Sequence, residues 1–417
     1  MALVLAISSY VPFVLASLPN VNGTAIPTLD VRDSSSSGNS RTLWDIIWSC
    51  AATLFACTWT AFHPNIPGVD ERKLPIASRR LFIMVVALIA PELIIAWAAR
   101  QFFSAPWTVT HGFFAWMGGF LLYVNDEPRA TLTPDELRRF VRNGSVEMPN
   151  MVKAEIEDRS KGDVLSKAIA ILQLLWFVTQ LVARYAQNLP ITLLEIDTLA
   201  VAALTSTAYG WWWNKPKDVG RPCLVHWKAA APPQRDLAYE YVVSLFLADT
   251  ILIRLHASRA DIDFVAEGEA YYVAKFFHPF YNLTGVYPMI SPDVVRSRRV
   301  PSLGGYAETR GGTILLVGCF SGMVFGGIHC VGWNFPFRSH TEQVLWRASS
   351  LVILCSPISC LITYMFKHDL FLCITIFCIY AYVAARITLI VLVLLSFQLL
   401  PPGVHDTVAW TEFIPHL

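Results

Sequence analysis

Apolar and polar positions divide the chain into long uncharged runs separated by polar loops. Residues 46–62 carry no charged side chain, and residues 81–99 are apolar apart from Pro91-Glu92. Residues 168–183 and 192–213 make a further pair joined by the turn QNLP, and 238–255 is a shorter candidate interrupted by Asp249. The last third is the plainest: 311–337 holds no charge in 27 positions, 348–366 none in 19, and 370–400 only Arg386. Runs of about 20 residues match the hydrocarbon thickness of a bilayer in helical geometry. Alternating ten-residue strand patterns are absent. The pattern therefore predicts an all-α fold, a polytopic transmembrane helical bundle of about seven to nine spans.

The same pattern sets the organisation. Residues 1–17 read as a signal peptide or a weak first span, and 18–43 as a disordered lumenal or extracellular tail with a glycosylation sequon at Asn22. Residues 44–124 hold the first membrane helices; within them the piece 112–124 is below span length alone and is either re-entrant or draws on preceding residues. Residues 125–167 form a polar loop with short helices, where Thr133-Pro134-Asp135-Glu136 spells a capping box with proline at the first helical position. Middle membrane helices (168–256), a long loop (257–310) with a sequon at Asn282, C-terminal membrane helices (311–400) and a tail (401–417) complete the chain. The positive-inside rule puts HPNIPGVDERKLPIASRR and the Lys215–Lys228 loop in the cytosol. That assignment requires 112–124 to cross, which sends the loop 257–310 and its RSRR cluster to the lumen.

Composition agrees with lipid as the main solvent. Charged residues make up 15% of the chain and apolar residues 54%, with mean hydropathy +0.47, against about 25% charged in soluble domains. A net charge of +1 gives no case for nucleic acid as a partner. The nine cysteines form no CxxC pair and read as small buried hydrophobes. HExxH, GxSxG and Walker signatures are missing, so neither a metal nor another cofactor is implied.

Charged groups inside apolar runs mark the candidate chemistry, because hydrocarbon burial is costly unless they are paired or face a cavity. Glu92, Glu195, Asp197, His63 and His329 form a candidate acid/base set. Glu195 and Asp197, two residues apart, lie about 200° apart around a helix and cannot face one partner. In WWWNKPKD, Trp211–Trp213 read as interfacial anchors, with Lys215 and Lys217 extending to phosphates. A functional alternative has Lys215, Asp218 and Arg221 at a pocket mouth, binding an anion. Gly318, Gly322 and Gly326 form a small-residue face suited to close helix association, within the bundle or between copies.

Several segments resemble a known family. RTLWDIIWSCAATLFACTWTAFHPNIP, APELIIAWAARQ, LPITLLEIDTLA, WWWNKPKDVGRP, FGGIHCVGWNFPFRSHTEQVLWRASS and the terminal IPHL are similar to a widespread fungal family of uncharacterised polytopic integral membrane proteins. Where typical members read WWxKPLDV, this chain has Lys217 in place of leucine. The resemblance implies a multi-pass membrane protein and carries over no catalytic residue. Taken together, the acids and histidines favour a membrane-embedded enzyme acting on a lipophilic substrate of isoprenoid or polyketide type. A proton-coupled transporter and a structural or receptor-like protein are the alternatives. The expected setting is the endoplasmic reticulum or another endomembrane, or the plasma membrane.

Overall fold

A computed structural model describes residues 40–160, 164–233, 237–240, 292–307, 311–366, 369–398 and 400–409. The signal-peptide and tail assignments for residues 1–39, both sequons at Asn22 and Asn282, and the 241–255 part of the weak span lie outside the described residues. Most of the loop 257–310 lies outside them too. The helices are α1 (Leu43–Ala61), α2 (Lys73–Ile89), α3 (Pro91–Ser104), α4 (Val109–Trp116), α5 (Pro134–Arg142), α6 (Lys153–Asp158), α7 (Val164–Ala186) and α8 (Leu193–Trp211), followed by α9 (Pro292–Ser297), α10 (Gly311–His329), α11 (His340–Phe366) and α12 (Asp369–Leu395). Strands β1 (Phe120–Val124), β2 (Glu127–Thr131) and β3 (Cys223–His226) make one small sheet.

Four stretches among the described residues are long and apolar enough to cross a membrane: Lys167–Ala186, Gly311–Asn334, His340–Phe366 and Ile374–Gln398. A fifth is reached if α2 and α3, bent by 115° at their junction, count as one broken span. The fold is therefore helical and multi-pass, with four or at most five such spans among the described residues against the seven to nine expected of the whole chain. Both α1 and α8 exist as helices but lie outside this set. Asp45 in the first and Glu195 with Asp197 in the second reduce their apolar character. Much of the surface of the four spans is not covered by protein, as lipid-solvated helices require.

The chain falls into two compact units: Met1–Cys57, Ile169–Ala203 and Cys319–Leu417 in the first, Thr58–Ala168 and Leu204–Gly318 in the second. In the first, α11 and α12 pair lengthwise. Two glycines of α10 lie close against α11. A Cβ on Gly326 would lie 2.5 Å from the backbone N of Leu354, and one on Gly322 would lie 3.0 Å from Pro357 Cγ. At the other end of the unit the fully buried Arg184 donates to the carbonyls of Pro190, Gly403, Val404 and Asp406, holding the chain's C-terminal segment.

The second unit corrects the expected topology. Residues 112–124 do not cross; they end α4 and form β1, which pairs antiparallel with β2 and parallel with β3. The core beneath this sheet gathers Phe114, Leu122, Leu132, Leu137, Phe140 and Val225. The capping box forms as expected: Glu136 N donates to Thr133 Oγ1 at 3.3 Å, and Thr133 N donates to the Glu136 carboxylate at 2.7 Å. The RSRR cluster also moves. Arg298 pairs with Asp70 at 3.4 Å and Arg299 with Glu71 at 3.6 Å, so RSRR lies beside the first basic loop and not across a membrane from it.

Gly326 and Gly327 give a matched test of the α10 packing, since a Cβ on Gly327 meets nothing within 4 Å. Gly326→Ala should lower stability by about 1–3 kcal/mol, the usual cost of overpacking, and lower the thermal midpoint in detergent. Gly327→Ala should leave that midpoint close to wild type or raise it.

Candidate functional site

α1 ends where FHPNIP halts the helix, leaving the carbonyls of its last turn without intrahelical donors. Two cations from other segments meet them, and a third binds just beyond. Lys217 Nζ donates to Trp59 O at 3.1 Å and Thr60 O at 3.2 Å, and Arg80 donates to Trp59 O at 3.2 Å. Lys215 Nζ donates to His63 O, just beyond the helix. Positive charge is favourable here because the helix dipole is negative at this end. Arg80 also stacks on the Trp59 ring at 3.6 Å and pairs with both Asp218 oxygens at 3.1 and 3.2 Å.

Lys215, 2% exposed, is the centre of a buried polar network. Its ammonium donates to Gln101 Oε1 at 2.9 Å and lies about 5 Å from the Trp97 and Trp212 ring centres. Trp212 Nε1 donates to the same Gln101 oxygen at 3.0 Å, while the Gln101 amide donates to Gly304 O at 3.0 Å. Asn65 ties in the same loop through Pro301 O and Gly304 O. Burial pushes the Lys215 pKa well below the usual lysine range; two oxygen acceptors and two indole faces oppose this by favouring the ammonium.

These contacts correct the reading of WWWNKPKD. Trp213 is exposed as an interfacial residue would be, but Trp212 is fully buried and Lys215 and Lys217 turn inward. Both lysines donate to main-chain carbonyls at or just past the end of α1, and Lys215 is not among the residues that line the cavity beside α2. Asp218 and Arg221 are.

They line a cavity of about 510 Å³, together with the start of α2 and Arg299. Five cations border it, Lys73, Arg79, Arg80, Arg221 and Arg299, against the carboxylates Glu71 and Asp218. Arg79 and Arg299 both engage Glu71, and Arg80 engages Asp218. Among the described residues no carboxylate pairs with Lys73 or Arg221. Burial alone would raise the Glu71 pKa, but the hydrogen bonds and charge of Arg79, with the Arg299 charge, hold it below the usual range. The site is thus a polar chamber with a positive excess.

The five acid/base candidates each have their own local setting. Glu195 caps α8 through Thr192 N at 2.8 Å and accepts from Arg41 at 2.6 Å. Asp197, on another face of α8, meets His329 Nε2 at 3.2 Å, while His329 Nδ1 lies 2.8 Å from Phe325 O. Those three belong to the first unit, and His63 and Glu92 to the second. Glu92 opens α3 after the Pro91 break instead of sitting mid-helix, where the helix N-terminus favours its charge. His63 Nδ1 donates to Ala61 O at 2.9 Å, and its buried Nε2 has no hydrogen-bond partner. Among the described residues no group of three His, Cys, Asp or Glu could hold a metal ion.

Comparison with known proteins places the chain. A family of unknown function, DUF8562, matches residues 13–109 and 103–234, together more than half of it. The chain belongs to that family. No curated protein and no solved structure matches. The cavity's residues before Arg299 fall inside the DUF8562 match, and Arg299 and Ser302 fall beyond it. Sequence reasoning missed Arg80, Gln101 and Arg299 as site residues. The basic clusters around Arg80 and Arg299 read in the sequence as topology signals, and Gln101 carries no motif.

His63 makes the network pH-sensitive. Burial, the first cause, and the nearby Lys215 charge lower its pKa well below 6.5, outweighing the Ala61 hydrogen bond. The folded state therefore holds a neutral imidazole that, below about pH 6.5, becomes protonated on unfolding. Its stabilisation is complete above about pH 6.5 and is lost as pH falls, by up to about 1.4 kcal/mol per unit. Thermal midpoints in detergent from about pH 7.5 to 5.5 should fall more steeply for wild type than for His63→Gln.

Proposed function

We propose that this DUF8562 protein is a receptor-like membrane protein that binds an anionic ligand in the cavity beside α2. The excess of cations over carboxylates around that cavity carries the reading. Preorganised arginines and lysines held by buried contacts are the usual means of recognising carboxylate or phosphate. Support for acid/base turnover of a lipophilic substrate is weaker, because Glu195 and Asp197 are each engaged by a separate local partner. The basic loops that meet at the cavity share one side of the bilayer without any crossing by 112–124, and the excess of Lys and Arg there favours the cytosolic side, at an endomembrane or at the plasma membrane.

A binding protein of this kind is stabilised by its ligand. At about 100 times its dissociation constant an anion should add about 2.7 kcal/mol. The full-length protein in neutral detergent should therefore melt at a higher temperature with phosphate-bearing additives, soluble or lipidic. Arg221→Gln should reduce that shift. If none of these anions moves the midpoint, the reading is wrong.

A further inference from the structure

The helix that borders the cavity has two unlike faces. Lys73, Ile76, Arg80 and Ile83 turn toward the chamber. Leu74 and Leu81 on the other side are 80% and 61% exposed, and Val85 and Ile89 continue the same exposed stripe. Helical spacing puts Leu74, Leu81, Val85 and Ile89 on one face. Four adjacent large aliphatic side chains on a multi-pass membrane protein are an acyl-chain contact. The chamber therefore lies one helix width, about 10 Å, from lipid. Trp59, half-exposed beneath the Arg80 guanidinium, is the kind of side chain that settles at headgroup depth.

The charge pattern narrows the anion. Glu71 and Asp218 already engage Arg79, Arg299 and Arg80, which leaves Lys73 and Arg221 on the rim with no carboxylate among the described residues. A phosphomonoester carries about −1.5 to −2 charges at neutral pH and three acceptor oxygens, a match for two such cations. A phosphodiester has only one negative charge, and a choline headgroup has no net charge. α2 also begins there without a side-chain cap and with no acid in its first turn, so its free N–H groups add to the attraction.

Resting on the anion-binding reading, we propose that the cavity holds the phosphomonoester headgroup of a membrane lipid. Lys73 and Arg221 bind the phosphate, and its acyl chains remain in the layer that bathes Leu74 and Leu81.

The test uses the full-length protein in neutral detergent, titrated separately with short-chain phosphatidic acid, short-chain phosphatidylcholine and inorganic phosphate. Thermal midpoint and native mass spectrometry are both read. Phosphatidic acid should raise the midpoint and persist as an adduct, and phosphatidylcholine should do neither. The Lys73→Gln/Arg221→Gln double variant should bind phosphatidic acid roughly tenfold or more weakly. Both residues are exposed, so its midpoint without ligand should match wild type. Lys228→Gln, which removes one exposed cation elsewhere, should bind as wild type does. Equal binding of the two lipids, or undiminished binding by the double variant, overturns the lipid site. Inorganic phosphate matching phosphatidic acid also overturns it but leaves the anion reading standing. Silence from every anion removes both.

Discussion

Carbonyl oxygens at the end of a helix must find donors, and around α1 that requirement organises the second unit. Lys215, Lys217 and Arg80 come from two separate segments of the chain to satisfy the last turn and His63, two residues beyond it. A membrane-bordering site has little water to do this instead. Once the cations are fixed there, their neighbours are fixed with them. Gln101 and Trp212 close over Lys215, and Asp218 is held against Arg80. The cavity is the space left beside this construction, and its positive excess follows from how the helix end was capped.

Much of the helical organisation was legible because it depends on local rules. The uncharged runs became the long helices, Pro91 broke the second one, and the Thr133–Glu136 box formed as written. The 200° argument for Glu195 and Asp197 also fits, since they meet Arg41 and His329 respectively. What failed depended on partners distant in sequence. FLLYV at 120–124 is apolar enough to suggest membrane, yet its parallel neighbour lies about a hundred residues later at 223–226. Nothing local to 112–124 announces that pairing.

The candidate site was legible only in part, for the same reason. Asp218 and Arg221 are legible in the loop that holds them, whereas the sequence does not show that Lys215 turns inward. A lysine after a tryptophan run can extend to phosphate or fold back onto a helix end, and both choices satisfy the same sequence pattern. Gln101 decides between them by offering an acceptor inside, and a glutamine in an apolar helix gives no sign of its partner. Arg299 entered through its ion pair with Glu71, a contact 228 positions apart in numbering.

Arg184 gives the far end of the first unit a different character from that of an ordinary terminus. A guanidinium sealed from solvent has its acceptors on Pro190 and on residues 403–406. The segment 403–406 is thus a ligand for an interior cation. Clipping the chain before Gly403 would strand that charge in an apolar setting, so trimming there amounts to removing part of the protein's interior.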